Sequence, residues 1–311
     1  MPDLVVSLPT DPGLRESLEG APGVEFVTWD LDGPAPVDRI DIAVPPYWGG
    51  ARRLSRLGEV EVGLVQWQSI GYNGVDRHLP EGLPFANAAT VHETSTAELA
   101  LALTLAAQRG LPEFVRAGDE HRWQLRSFPS LADRRVLLVG YGGVGKAIEA
   151  RLSGFEVEVT RVARSAREER NLAGETVSVH AFSELRDCLV GAEVVILAVP
   201  LTPETQHLID GDALAAMPDG ALLVNVARGP VVDTDALVAE LRSGRLRAAL
   251  DVTDPEPLPE DHPLWDCPGV LVTPHVGGDS SAMLPRMVAL IRRQIDRMRA
   301  GEAPENLVLG G

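Results

Sequence analysis

The sequence predicts an α/β fold with doubly wound parallel sheets, and three observations carry that prediction. Short apolar runs bounded by Pro and Gly recur along the chain, and such runs are typical of buried strands. Helical segments separate most of these runs, as parallel strands require, because parallel neighbours are joined by a crossover connection. A strand, a glycine-rich stretch and a helix also follow one another directly over residues 135–152.

The first third of the chain is predicted to form a layered unit of strands and short helices. We expect strands over residues 3–8, 24–29, 41–44 and 60–67, with helices over 11–19 and 51–57. A longer helix is expected to begin near Thr94, where hydroxyl residues precede Glu98 and an Ala/Leu run as in a capping box. We expect this helix to end at about Ala117.

The rest of the chain is predicted to form a parallel sheet with right-handed crossovers. Strands are expected over residues 135–139, 157–162, 194–199, 221–226, 248–252 and 270–273. The last helix is expected over residues 281–299, where apolar residues recur at helical spacing. A chain of 311 residues is long enough for two domains, each able to bury a core.

The composition argues against several classes of function. The net charge of −17 disfavours binding to nucleic acid, which needs a positive face. Cys188 and Cys267 are too few for a disulfide framework or a Cys-rich zinc site, so we expect no metal and a reducing compartment. No apolar stretch reaches the roughly 20 residues that cross a bilayer, and the first residues lack the pattern of a signal peptide. We therefore expect a cytoplasmic protein with no membrane partner.

Residues 140–145 read Gly-Tyr-Gly-Gly-Val-Gly and fit a dinucleotide-binding loop. Gly140 allows the tight turn, Gly142 lets backbone N–H groups approach a pyrophosphate, and Gly145 allows the helix to pack closely on the strand. The alternative is a purely structural glycine turn, and the strand before it and the helix after it argue against that reading. A nucleoside-triphosphate loop is excluded, because no Gly-Lys-[Ser/Thr] stands at the required offset. The loop residues expected at the cofactor are Gly140, Gly142, Gly143, Val144 and Gly145.

The residues after the next strand bear on which nicotinamide cofactor is bound. NAD sites place an acid about 20 residues beyond the loop to bind the ribose 2′-hydroxyl, whereas NADP sites place Arg nearby. Here the position of the acid falls on Ala163, and Arg164, Ser165 and Arg167 follow. Together with Arg161, these arginines predict a positive cluster that prefers NADP(H), with NAD(H) as the second choice. The alternative is that the arginines are ordinary surface charges.

Three later blocks add candidate catalytic residues at strand ends. Residues 222–233 hold Arg228, residues 251–265 hold Glu256, and residues 272–278 hold His275. In order and content, together with the glycine loop and residues 200–205, these blocks resemble the D-isomer-specific 2-hydroxyacid dehydrogenases. The resemblance implies a Rossmann-type dinucleotide-binding domain, residues 96–279, inserted into a smaller flavodoxin-like α/β substrate domain, residues 1–95 plus 280–311.

The chemistry of this family explains why these residue types are needed. Reducing a 2-oxo acid adds hydride to the carbonyl carbon and a proton to its oxygen, so a proton donor must lie within hydrogen-bond reach. His275 fits that requirement, and the resemblance assigns Glu256 to stabilise the charged imidazole from its other ring nitrogen. Arg228 offers a planar fork to the substrate carboxylate or carbonyl oxygen. Each residue alone reads as a surface charge or a capped turn, and only their conjunction at strand ends argues for catalysis.

The resemblance also implies further ligand contacts. Those expected at the cofactor are Thr96, Val199, Pro200, Thr205, Val226, Ala227, Asp251, His275, Gly277 and Gly278. Among them, Asp251 would bind the nicotinamide carboxamide. Residues 69–76 resemble the loop that offers backbone N–H groups to the substrate carboxylate, so Ile70, Gly71 and Tyr72 are candidates beside Arg228. Tyr47 and Trp48 read equally as substrate-facing or as packing residues.

The expected function is the reduction of glyoxylate or hydroxypyruvate with NADPH by a homodimer joined through the helix at 96–117. Oxidation of phosphite uses similar residues and stays open as an alternative. Formate oxidation is disfavoured, because that relative has Gln where this chain has Glu256. A dinucleotide-sensing binding protein, like the corepressors that share this fold, is the alternative from a different class.

Overall fold

The computed structural model describes residues 3–310 and divides into two compact units. One unit comprises the chain up to His92 together with the segment that begins at Ser280. The other is Glu93–Asp279, which is therefore inserted into the first along the sequence. The fold-class prediction of two α/β domains, one inserted into the other, is confirmed.

The first unit is built on a six-stranded sheet with the order β14-β5-β4-β3-β1-β2. Its strands are β1 Leu4–Leu8, β2 Val24–Thr28, β3 Arg39–Ala43, β4 Glu61–Gln66, β5 Phe85–Ala86 and β14 Leu307–Leu309. All neighbours pair in parallel except β14, which runs antiparallel to β5. The order 2-1-3-4-5 of the parallel strands is that of flavodoxin-like sheets.

Two layers cover the faces of this first sheet. On one face, α1 Pro12–Leu18 and α8 Met283–Arg299 bury Leu14, Leu290 and Ile291 against β1. Asp11 begins α1 by accepting a hydrogen bond from the Leu14 backbone N–H at 3.1 Å, as expected of an N-cap. The other face is covered by Ala51–Glu59, a 3₁₀ helix where the sequence predicted an ordinary helix.

The second unit is built on an eight-stranded sheet with the order β13-β12-β11-β10-β6-β7-β9-β8. Its strands are β6 Arg135–Val139, β7 Glu158–Ala163, β8 Arg167–Arg170, β9 Thr176–Ala181, β10 Val194–Leu197, β11 Leu222–Asn225, β12 Arg247–Leu250 and β13 Val270–Val272. Every neighbouring pair is parallel except β8 and β9. From β9 to β12 the order is 3-2-1-4-5-6, that of a dinucleotide-binding doubly wound sheet.

Helices cover both faces of the central part of this second sheet, so its strands β6, β10 and β11 are almost entirely apolar. They are α2 Glu93–Gln108, α3 Leu111–Asp119, α4 Gly143–Leu152, α5 Leu185–Leu189, α6 Gly211–Ala216 and α7 Thr234–Arg242. The helices α2 and α4 pack on one face, and α5, α6 and α7 pack on the other. This arrangement leaves the carboxyl ends of β6, β10, β11 and β12 side by side at one edge of the sheet.

The predicted helix at 96–117 is in fact two helices. Gly110 lies between α2 and α3 with a φ of 62°, in the left-handed region where a helix cannot continue. A Cβ atom there would overlap the ring of Phe128, so the break also makes room for the chain that passes outside it. The single-helix prediction was wrong because the Ala/Leu run was extended across this glycine.

The strands β5, β8, β9 and β14 were not predicted. β5 and β14 are short, and β8 and β9 form a hairpin of polar sequence where a doubly wound fold normally has a crossover helix. Across residues 3–310, none of the helices is long and apolar enough to span a membrane. In that same part of the chain, no group of three or more His, Cys, Asp or Glu side chains is arranged to hold a metal ion.

Candidate active site

The glycine loop follows β6 directly, and two of its glycines are required by close contacts. Gly140 has a φ of 106°, and a Cβ atom on it would overlap the carbonyl of Ala198. A Cβ atom on Gly145 would overlap the carbonyl oxygen of Gly140. No heavy atom lies within 4 Å of the Cβ position of Gly142, so the loop is open there and a ligand can approach its backbone.

The helix α4 begins inside the loop, at Gly143, earlier than the predicted start after Gly145. Its N-cap is Gly142, which provides no side-chain hydrogen bond to the first turn. The first backbone N–H groups of a helix have no partner within the helix and carry the positive end of its dipole, so they bind phosphate groups well. The loop thus fits the pyrophosphate of a dinucleotide.

The three arginines expected to form one positive cluster, Arg161, Arg164 and Arg167, instead have separate partners, which corrects that expectation. Arg161 is in β7, and its Nε donates to Glu149 Oε1 at 2.8 Å. Arg164 forms an ion pair with Glu204, with Nε 2.9 Å from Oε2, and both side chains are mostly exposed. Arg167 donates from Nη1 to the Ser165 carbonyl at 3.2 Å. Arg164 and Arg167 therefore stay as candidates for binding the 2′-phosphate. Arg161 instead pairs with Glu149 inside the domain.

A buried polar network beneath the glycine loop explains the position of Arg161. The hydroxyl of Tyr141 donates to Glu149 Oε2, and Arg161 binds the other oxygen of the same carboxylate. Burial, followed by the hydrogen bond to Glu149, raises the pKa of Tyr141 far above its usual range, so the phenol stays protonated. The network ties the second residue of the glycine loop to α4 and β7.

Replacing Glu149 by alanine is expected to lower the free energy of unfolding by about 3 kcal/mol, because Arg161 would be left largely buried without its carboxylate. Urea unfolding followed by circular dichroism measures this difference. Glu158→Ala is the matched control, since Glu158 is exposed on the same strand as Arg161. Equal stability of the two variants would show that the buried pair contributes nothing.

The turn after β10 holds the predicted residues Val199, Pro200 and Thr205. Thr205 is only 2% exposed, and its hydroxyl donates to the Pro200 carbonyl at 2.6 Å. The same oxygen accepts from the Thr202 backbone N–H at 2.8 Å. Thr205 therefore shapes this turn from inside, and contacts of the three predicted residues with a cofactor stay predictions.

The turn after β11 presents Arg228 at the next strand end. Asn225 closes the turn: its side chain accepts from the Ala227 N–H at 3.0 Å and donates to the Arg228 carbonyl at 3.0 Å. A Cβ atom on Gly229 would overlap the carbonyl of Thr253, just beyond β12. The Arg228 turn is thus held directly against the chain that leads to Glu256. Val226 and Ala227, predicted at the cofactor, are buried in it.

Asp251, at the end of β12, organises the turn that carries His275. Its carboxylate accepts hydrogen bonds from the Thr273 hydroxyl at 2.6 Å and from the backbone N–H groups of Val276 and Gly277, each at 2.9 Å. The His275 backbone N–H donates to the Asp251 carbonyl at 2.8 Å. Asp251 is buried, at 3% exposure, and holds this turn together. Its contact with the nicotinamide carboxamide stays a prediction.

His275 and Glu256, the two residues predicted to act as a catalytic pair, lie in contact. His275 Nδ1 lies 2.5 Å from Glu256 Oε1, and both side chains are about one-third exposed, at 32% and 39%. His275 has a φ of 56°, a left-handed conformation that is uncommon outside glycine and that clusters at functional sites. Thr96 lies near the same turn, since a Cβ atom on Gly277 would be 3.5 Å from its Cγ2.

The candidate substrate loop belongs to the first unit. The Ile70 carbonyl accepts from Asn87 Nδ2 at 2.9 Å, and the Gly71 carbonyl accepts from Trp67 Nε1 at 3.1 Å. Tyr72 is exposed. The loop is therefore held from inside its own unit, while its contact with substrate stays a prediction.

Sequence reasoning missed Lys146 and Glu169, which form an ion pair beside the loop, with Nζ 2.5 Å from Oε1. The pKa of the Glu169 carboxyl lies below its usual range, and the hydrogen bond from Lys146 is the largest cause. The turn over residues 171–174, followed by the alternating apolar and polar residues of 176–181, was the signal that could have revealed the hairpin that carries Glu169.

Comparison with known proteins gives one family. Residues 101–277 match the family model described as D-isomer specific 2-hydroxyacid dehydrogenase, NAD binding domain. A glyoxylate reductase of Pyrococcus horikoshii is 35% identical over 259 residues, which cover 79% of this chain and 75% of the relative. A D-3-phosphoglycerate dehydrogenase of Methanocaldococcus jannaschii is 30% identical over 261 residues, which cover 83% of this chain and 48% of the relative.

Solved structures of other proteins are similar to this chain over nearly its whole length. A D-isomer specific 2-hydroxyacid dehydrogenase from Xanthobacter autotrophicus Py2, in complex with NADPH and MES, is 32% identical with a TM-score of 0.79, over 98% of each chain. An NADPH-dependent glyoxylate/hydroxypyruvate reductase from Sinorhizobium meliloti, in complex with NADP and sulfate, is 25% identical with a TM-score of 0.82, again over 98% of each. The glycine loop, the Arg228 turn and the paired His275 and Glu256 thus have their explanation: the chain belongs to the D-isomer-specific 2-hydroxyacid dehydrogenase family.

Proposed function

We propose that the chain reduces a small 2-oxo acid, glyoxylate or hydroxypyruvate, with NADPH. The observation that carries this proposal is the 2.5 Å pair of His275 and Glu256, in the same domain as the open glycine loop. The names of its relatives support the substrate class, since they include glyoxylate reductases and an NADPH-dependent glyoxylate/hydroxypyruvate reductase.

The residues present fit a nicotinamide dinucleotide. The loop is tightly packed where Gly140 and Gly145 meet the sheet and open at Gly142. At the end of β7, where NAD sites place an acid for the ribose 2′-hydroxyl, the chain has Ala163, and Arg164 and Arg167 follow, which favours a 2′-phosphate. A bound reduced nicotinamide supplies the hydride that the carbonyl carbon of the substrate accepts.

The side chains of the domain account for the proton and for orientation. Nδ1 of His275 donates to Glu256, so Nε2 is the nitrogen that gives a proton to the substrate oxygen. The Glu256 carboxylate stabilises the imidazolium before the transfer and fixes the plane of the ring. The guanidinium of Arg228 binds the carboxylate or polarises the carbonyl oxygen, where negative charge develops.

The test is a screen of 2-oxo acids against both cofactors, followed by the loss of absorbance of the reduced nicotinamide. We expect turnover of glyoxylate or hydroxypyruvate, with a higher kcat/KM for NADPH than for NADH. A preference for NADH would contradict the cofactor assignment. Binding of NADPH without turnover of any 2-oxo acid would favour the dinucleotide-sensing alternative, and turnover of phosphite alone would replace the substrate class.

We propose in addition that the protein is a homodimer that buries the apolar surface of α3 and of the segment after it. Leu111 and Val115 lie one turn apart on α3 and are 49% and 63% exposed. Trp123 and Leu125 in the following segment are 92% and 88% exposed. Apolar side chains exposed to this extent in one short region mark a surface that another protein covers, and a second copy of this chain is always present to cover it.

Replacing Trp123 and Leu125 together by aspartate is expected to convert a wild-type dimer into a monomer, because buried charges without partners oppose association. Size-exclusion chromatography with light scattering measures the mass. Leu172→Asp is the matched control, since Leu172 is 63% exposed in the turn between β8 and β9. A monomeric wild type, or a double variant that stays dimeric, would refute the proposed interface.

A further inference from the structure

The hairpin of β8 and β9 brings one carboxylate between two cations. Glu169 Oε2 accepts from Arg167 Nε at 2.7 Å, while Oε1 lies 2.5 Å from Lys146 Nζ in the first turns of α4. All three side chains are partly exposed, between 23% and 36%. Glu169 is therefore the anion that both cations bind in this structure.

The position of Arg167 places this group at the adenosine side of the expected dinucleotide. Its guanidinium donates to the Ser165 carbonyl at 3.2 Å and to the Tyr141 carbonyl at 3.4 Å. Tyr141 is in the glycine loop, and Ser165 follows the end of β7, where doubly wound folds bind the ribose of adenosine. An anionic group on that ribose would approach the cations that Glu169 now pairs with.

We propose that Glu169 is an internal counter-ion that the 2′-phosphate of NADP displaces from Arg167 and Lys146, so that Glu169 limits the affinity for the phosphorylated cofactor. The inference rests on the proposed use of NADP(H). A phosphate monoester carries up to two negative charges and three acceptor oxygens, so it competes well with a single carboxylate for an arginine fork. Displacement costs the free energy of the existing ion pairs, and the measured affinity is reduced by that amount.

The test compares Glu169→Gln with the wild-type protein by isothermal titration with NADPH and with NADH. Removing the competing charge is expected to lower the Kd for NADPH by about fivefold, the size of one partly exposed ion pair. The Kd for NADH, which has no 2′-phosphate, is expected to change less than twofold. Titration with adenosine 2′,5′-bisphosphate and with ADP repeats the comparison on the phosphate alone.

Glu168→Gln is the matched control, because Glu168 carries the same charge on the other face of β8, where it accepts from the Ser178 hydroxyl at 2.5 Å. We expect it to bind both cofactors as the wild type does. An unchanged or higher Kd for NADPH in Glu169→Gln would overturn the proposal and show that the carboxylate only holds Arg167 in place. A wild-type preference for NADH would instead refute the cofactor assignment. The ratio of the Kd for NADPH in Glu169→Gln to that in the wild type would still decide the function of Glu169.

Discussion

Replacing His275 by alanine is expected to lower kcat/KM for the 2-oxo acid by about 10²- to 10⁴-fold, the usual loss when a general acid is removed. The loss should appear in kcat, because the proton is transferred in the chemical step. His78→Ala is the control, since His78 is an exposed histidine of the other unit. Near-normal kcat in His275→Ala, measured on protein with an unchanged melting temperature, would show that another group supplies the proton.

Glu256 is the hydrogen-bond partner of His275, and Glu256→Gln removes its charge while keeping the hydrogen bond. Glutamine can still accept from Nδ1 of His275, but it has no charge to stabilise the imidazolium. We expect a loss of about tenfold in kcat, smaller than that of His275→Ala. A hydrogen bond to a charged group is stronger than one between neutral groups by about 1 kcal/mol or more. A loss as large as that of His275→Ala would mean that the carboxylate takes part in proton transfer directly.

Replacing Arg228 by alanine is expected to lower kcat/KM by about 10²- to 10³-fold, the range found when a donor to a developing oxyanion is removed. Arg228→Lys should recover only part of this loss, because an ammonium lacks the planar fork of the guanidinium. Arg242→Ala, at the exposed end of α7, is the control for loss of a positive charge in the same unit.

The kinetic constants of Arg228→Ala also distinguish its two possible contacts. A loss confined to KM indicates that the guanidinium binds the substrate carboxylate equally in the ground state and the transition state. A loss in kcat indicates that it polarises the carbonyl oxygen. Full activity in both constants would remove Arg228 from the mechanism.

The candidate site was predictable where its geometry is local. A Cβ atom on Gly145 would overlap the carbonyl oxygen of Gly140 in the same loop, so the spacing of these two glycines in the sequence already expresses the requirement. His275 and Glu256 were predictable for a different reason: their blocks resemble a known family and follow successive strands, whose carboxyl ends meet at one edge. The structure then supplies their 2.5 Å contact, which spacing alone does not give.

The pairing of charges was not predictable in the same way. Arg161 and Arg164 look equivalent in the sequence, yet one binds buried Glu149 and the other binds exposed Glu204. Arg161 lies within β7 and Arg164 lies just beyond its end, and the partner of each depends on how α4 and the turn after β10 pack. The hairpin of β8 and β9 was missed because its strands are polar, and a search for apolar runs passes over them.

The strand β8 is the outermost strand of its sheet, and all its residues, Arg167–Arg170, are charged. An outer strand presents unpaired backbone groups to any other extended chain, and charged side chains are a common protection against edge-to-edge aggregation. Arg167 and Glu169, which we propose to affect the choice of cofactor, thus also belong to the charged residues that protect this edge from pairing with a second sheet. Redesign of the cofactor preference by neutralising Arg167 or Glu169 therefore carries a risk to colloidal stability, which Glu168 and Arg170 would have to offset.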